Sequence, residues 1–123
     1  MSAIIPTLRI YDYEKTIEFY VDWLGFKIEW THQFDDNAPR FMKATLRDVS
    51  IHLSEHHGDG SPGTNITILD FNGLREYHKM LIDKKYKYNR PGLEVPFWDD
   101  KQITVTVIDP VGNRITFIET EKL

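Results

Sequence analysis

Apolar and polar residues alternate most regularly near the end of the chain. Ile103, Val105 and Val107 fall in one phase with Thr104 and Thr106 in the other, and Ile115 and Phe117 flank Thr116 in the same way. A period of two sends successive side chains to opposite faces of a strand, and β-branched residues favour that state. The intervening Asp109-Pro-Val-Gly-Asn-Arg114 has turn chemistry: an aspartate to start, a proline to fix φ, and a glycine free to take positive φ. The pattern predicts a hairpin with an apolar face and a threonine-rich face. Threonines in place of lysine and glutamate suit the lining of a cleft as well as an ordinary solvated surface.

From the N-terminus, Ile4 to Tyr11 reads as a strand interrupted by Pro6, which favours an edge or a departure point. Asp12 is a candidate N-cap for a helix of about 12 residues, with apolar positions at Tyr13, Ile17, Tyr20, Val21 and Leu24 and a stop at Gly25. Phe19 and Trp23 add a second apolar edge, which either broadens one core face or is covered from another side. Alternation then places Phe26, Ile28 and Trp30 on one face of a strand. A turn-rich stretch, Asp35 to Pro39, precedes strands at Arg40–Leu46 and Val49–Ser54, and His52 shares the polar face of the latter with Ser50 and Ser54.

Glu55 to Gly63 is the one marked shift in composition, a glycine-rich connector. Beyond it the order restarts. Thr64 to Asp70 reads as a strand, Asn72 as the cap of a helix with Leu74, Tyr77, Leu81 and Ile82 on its apolar face and His78 beside them, and Lys85 to Arg90 as a short strand. Pro91 to Asp100 reads as a loop carrying Phe97 and Trp98, and the hairpin closes the unit. Asp12 and Asn72 each follow a strand and open a helix, which is the signature of a duplicated unit. The expectation is an α+β fold of two βαβββ units in a single domain over residues 1–123. The units cover about residues 3–56 and 64–120, joined by a linker at 57–63.

Composition narrows the function. The 123 residues are 41% hydrophobic and 28% charged, ordinary for a soluble domain. There is no apolar run long enough to span a membrane and no signal-peptide pattern, so the cytoplasm is the expected compartment. The lack of cysteine excludes disulfides, thiol catalysis and thiolate metal sites. A net charge of −4 without a basic run argues against nucleic acid and slightly favours a cationic ligand.

The repeated order, with Leu24-Gly25-Phe26 after the first helix and Asp109-Pro-Val-Gly-Asn-Arg114 in the last hairpin, resembles the glyoxalase, bleomycin-resistance and extradiol-dioxygenase superfamily. Its paired units form the vicinal-oxygen-chelate fold, a curved mixed sheet around a cleft. His52-Leu-Ser-Glu-His-His-Gly58, and Arg90-Pro-Gly92 leading towards Phe97-Trp98, are similar to the bleomycin-resistance branch more than to glyoxalase I. In the metal-dependent members, ligands come from the first and last strands of each unit. The matching positions here fall at or near Ile5, His52, Thr64 or Asn65, and Thr116, of which His52 alone suits a metal. Glu55, His56 and His57 would require a loop site instead.

The resemblance therefore implies no catalytic residue, no metal and no cofactor. It implies a protein that sequesters a bleomycin-like or other aromatic or cationic toxin. Candidate contacts are His52, Trp98, Phe97, Phe34, Phe41 and Thr116, each with an alternative structural role as core lid or hydrogen-bonded polar residue. A homodimer is implied as well, with Pro6 at the place where a first strand crosses to a partner. Two other readings stay open, a metal-dependent enzyme of the superfamily and a scaffold that binds a metabolite.

Overall fold

A computed structural model describes residues 2–121. The chain falls into two compact units. One runs to Thr64 and includes the turn Asp109–Asn113; the other comprises Asn65–Ile108 and the segment from Arg114 onward.

The first unit contains β1 (Thr7–Arg9), α1 (Tyr13–Ile17), β2 (Lys27–Gln33), β3 (Arg40–Leu46) and β4 (Val49–Ser54). Its sheet has the order β1-β4-β3-β2, with β1 parallel to β4 and the other neighbours antiparallel. β1 is shorter than the sequence predicts. It starts directly after Pro6, which has no N–H to donate but whose carbonyl accepts from the His52 N–H at 2.9 Å.

Asp12 caps α1 as expected, its Oδ1 accepting from the Lys15 N–H at 3.0 Å. From Glu18 to Trp23 the helix widens to π-helical turns, with the Leu24 N–H bonding back to the Phe19 carbonyl. The wider pitch rotates the buried face. Phe19 and Trp23 become core residues beside Tyr20 and Leu24, while Ile17 and Val21 are only half-buried. Gly25, at φ 91°, ends the helix in a conformation that only glycine adopts freely. On the sheet, Leu8, Met42, Ala44, Ile51 and Leu53 are wholly buried on one face.

The second unit contains β5 (Asn65–Ile68), α2 (Leu74–Asp83), β6 (Leu93–Glu94), β7 (Gln102–Ile108) and β8 (Arg114–Thr120), with sheet order β5-β8-β7-β6. The predicted hairpin is present: Val105 pairs with Phe117, Val107 with Ile115, and Thr106 with Thr116, so the apolar and threonine faces segregate as expected. Phe71, Tyr77 and Phe117 form a ring cluster with centroids 4.8–5.4 Å apart, which fixes α2 against β8.

Two predicted features of this unit are overturned. Asn72 is not the cap of α2. Gly73 holds that position at φ 74°, and the Glu119 carboxylate, facing α2 from β8, accepts from the N–H groups of Gly73 and Leu74 at 3.0 Å each. A carboxylate at a helix N-terminus satisfies orphan donors and complements the helix dipole, so no local cap is required. Lys85 to Arg90 is a series of turns rather than a strand. Lys85 takes positive φ, and the Asn89 side chain imitates the missing strand: its Nδ2 donates to the Ile108 carbonyl at 2.8 Å and its Oδ1 accepts from the Ile108 N–H at 3.1 Å.

Candidate functional site

The face of the first sheet opposite the core carries the candidate site. Strand register sets out two adjacent rows on it. Trp30, Lys43, His52 and Thr7 lie across β2, β3, β4 and β1 in one row, and His32, Phe41, Ser54 and Arg9 in the next.

Trp30 belongs on the opposite, core face according to the plain alternation of Phe26, Ile28 and Trp30. A β-bulge between Ile28 and Trp30 corrects this: Ile28 still pairs with core-facing Ala44, but Trp30 pairs with Lys43. One extra residue reverses the facing of everything after it in a strand. The signal in the sequence was His32, in phase with Trp30 and out of place on a core face.

The bulge builds an aromatic shelf. Trp30 stacks on Phe41 with centroids 5.8 Å apart and planes at 21°. His52 lies 4.9 Å from Phe41 and 5.7 Å from Trp30. His56 reaches Phe41 at 6.4 Å, held there because its N–H donates to Ser54 Oγ at 3.1 Å while Ser54 Oγ donates to Asp59 Oδ2 at 2.9 Å. Gly60 lets the same loop approach β1, since an added Cβ would stand 3.3 Å from the Thr7 carbonyl oxygen. Trp30 keeps 44% of its surface exposed, so the outer layer of the stack is open to a ring from solution.

Of the residues expected at the site, His52 and Phe41 therefore come together. Phe34 follows β2 and is 90% exposed, without a ring partner among the described residues. In the second unit Phe97 and Trp98 meet edge to face at 5.2 Å, and Trp98 Nε1 donates to Gln102 Oε1 at 2.9 Å. Thr116 is hydrogen-bonded to Thr106 through their hydroxyls at 3.0 Å. Sequence reasoning missed Trp30, His56 and Arg9.

The residues present do not fit the metal of the superfamily's enzymes. The residues paired with His52 and Thr116 on the neighbouring parallel strands are Thr7 and Thr67, not the Ile5 and Thr64 or Asn65 expected from the sequence. Neutral hydroxyls do not replace histidine or carboxylate ligands. Among the described residues no three His, Cys, Asp or Glu side chains converge to hold an ion, which applies equally to the His56-His57 loop.

The Asp-Pro-x-Gly-Asn turn is a fastening within the first unit. Asp109 Oδ1 accepts from the N–H groups of Val111 and Asn113, and Oδ2 accepts from Asn113 Nδ2 at 2.8 Å and from the Tyr20 hydroxyl at 2.6 Å. Asn113 in turn donates to the Arg9 carbonyl and accepts from the Thr64 N–H. Burial, then the Asp109 charge and their hydrogen bond, push the Tyr20 hydroxyl well above the usual tyrosine range.

A family profile described as glyoxalase superfamily protein matches residues 1–122. The chain belongs to this superfamily. It is also 28% identical to the bleomycin resistance proteins of Geobacillus stearothermophilus and Staphylococcus aureus, over 99% of either chain. In fold it is similar to a bleomycin-binding protein solved in complex with bleomycin, with TM-score 0.72, 21% identity, and coverage of 98% of this chain and 100% of that one. The bleomycin resistance determinant encoded on the transposon Tn5 is similar too, with TM-score 0.73, 21% identity, and coverage of 99% and 100%. The two-unit α+β architecture read from the sequence is therefore that of this superfamily. No helix among the described residues is long and apolar enough to cross a membrane.

Proposed function

We propose that this glyoxalase-superfamily protein binds a planar aromatic antibiotic or toxin of the bleomycin kind and holds it without altering it. The observation that carries this reading is the Trp30–Phe41–His52 shelf on the open face of the first sheet. Stacking and apolar burial supply affinity for any flat ring, while Lys43 and His52 in the same row provide polar contacts. The names of the curated relatives support the same class of ligand. Phe97, Trp98, Phe34 and Thr116 are proposed as further contacts, and the two units as parts of one duplicated domain working in the cytoplasm.

We also propose a homodimer, with exchange of the segment around Pro6 as its finer form. Ile4, Phe34 and Phe97 are each at least 90% exposed, an amount of bare apolar surface that a second copy would cover.

Titration with metal-free bleomycin, followed by tryptophan fluorescence, tests the function. Binding should weaken at least about tenfold in Trp30→Ala, in line with loss of an aromatic anchor, with little change in the thermal midpoint. Undiminished affinity in Trp30→Ala would move the ligand off the shelf, and absence of binding to the unaltered protein would remove bleomycin-like compounds as the ligand class.

A further inference from the structure

Arg9 is the anomaly of the shelf's face. It is only 8% exposed, and its Nε and Nη1 are buried without a hydrogen-bond partner among the described residues. It makes no ion pair among the described residues; its guanidinium lies 4.9 Å from the centroid of the Tyr11 ring, and that π-face supplies no acceptor lone pair. Buried polar groups are almost always hydrogen-bonded, and a buried guanidinium left short of acceptors destabilises the fold that holds it. Such a residue is explained by something that arrives later.

Its position says what. Arg9 stands in the row of Ser54 and Phe41, two strands from the Phe41 ring, a separation of about 10 Å between backbones at ordinary strand spacing. Ser54, between them, is wholly buried and bonded to Asp59, so a substituent from an aromatic molecule on Trp30 and Phe41 reaches the guanidinium past the edge of the 55–60 loop, at the end where Arg9 meets Tyr11. Tyr11 covers that end. It is 56% exposed, lies in the coil after β1, and lines a cavity of about 280 Å³ with Gln33, Arg40 and Glu55, so its ring has room to move aside.

We propose that Arg9 is an anion anchor, and that the ligand is an aromatic molecule carrying a carboxylate or a comparable anionic oxygen. The inference rests on the shelf reading and gives it a charge requirement. It also departs from the cationic ligand that the net charge favours, because the Arg9 guanidinium has no carboxylate partner among the described residues. Arginine suits the task, since its fork presents several N–H donors to carboxylate oxygens and keeps its charge at any working pH.

The test uses two probes of one shape, 2-naphthoate and 2-naphthamide, titrated by calorimetry into the full chain. The acid should bind at least about tenfold more tightly than the amide. In Arg9→Met, which keeps the bulk of the side chain without its charge, the acid-to-amide ratio should collapse towards one while the thermal midpoint stays level or rises. Arg9→Lys should retain part of the preference, through charge without the fork. Equal binding of the two probes to the unaltered protein would overturn the anchor and leave the shelf standing. A ratio unchanged in Arg9→Met would overturn it too. If neither probe binds but bleomycin does, the anionic ligand class is wrong and sequestration survives; if none of the three binds, both readings fall.

Discussion

Removing one oxygen atom from the core separates the structural from the functional meaning of the Asp109–Asn113 turn. In Tyr20→Phe the ring stays in its wholly buried place, but Asp109 Oδ2 loses its 2.6 Å hydrogen bond and keeps Asn113 Nδ2 as a donor, with two backbone N–H groups still on Oδ1. A hydrogen bond to a charged group contributes about 1.5–3 kcal/mol, and the three surviving donors place this loss at the low end, roughly 1.5–2 kcal/mol. For a chain of this size that is a fall in thermal midpoint of roughly 6–8 °C.

The pH dependence gives a second handle. Because the folded protein raises the Tyr20 hydroxyl well above its usual range, the unfolded chain ionises first. The Tyr20 contribution is therefore complete below about pH 10 and is lost as pH climbs towards the raised folded value, with a slope of up to about 1.4 kcal/mol per pH unit. Phenylalanine has no such proton. Urea midpoints of the two proteins should differ by a constant amount from pH 7 to 9 and converge above pH 10, while bleomycin affinity at pH 7 stays the same. A gap that persists unchanged to pH 11, or no gap at neutral pH, would refute the account of the Tyr20–Asp109 bond.

Glu119→Ala should lower stability by about 1–2 kcal/mol by uncapping α2, with faster hydrogen exchange in its first turn as the sign that the helix end is what was lost. Asn89→Ala removes both hydrogen bonds to Ile108 and should cost about 1 kcal/mol, read from the urea midpoint, because the bonds are exposed. Trp98→Ala should change stability by less than about 1 kcal/mol, since the ring is 61% exposed, so a large loss would make it a core lid after all. Elemental analysis of untagged protein should find no stoichiometric zinc, nickel or iron; one equivalent that disappears in His52→Ala would restore a metal-dependent reading.

What the sequence made legible was local. The closing hairpin followed from alternation plus turn chemistry within residues 103–117, and the Asp12 cap from its own three-residue reach to Lys15. The features missed depend on distant partners. The Glu119 cap crosses 46 positions to Gly73, and no signal near Asn72 betrays it. Phe19 and Trp23 were legible as a second apolar edge of the first helix and are core residues, but the π-helical turns at Glu18–Trp23 that carry them are not expressed by a periodicity of 3.6 residues. Within the site, His52 was visible on the polar face of its strand and Phe41 as a candidate beside the acidic turn, but their common face came from strand register; Trp30 was hidden by the bulge, and Arg9 carried the charge of an ordinary solvated strand residue.

The bulge also explains why the shelf costs the fold so little. The core face of the first sheet is already full, with Leu8, Met42, Ala44, Ile51 and Leu53 completely buried. A tryptophan continuing the phase of Phe26 and Ile28 would have to enter that packing, and overfilling a dense core destabilises by about 1–3 kcal/mol. One additional residue at Glu29 turns the ring to the other face, where Phe41 and His52 already offer an apolar bed, and Glu29 itself remains paired by accepting from the Thr45 hydroxyl at 2.7 Å. The strand thus serves the core through Ile28 and the opposite face through Trp30, although regular pleating puts residues two apart on the same face. An aromatic face made this way is set by backbone register, so substitutions at Trp30 or His52 should leave the core on the other side of the sheet undisturbed.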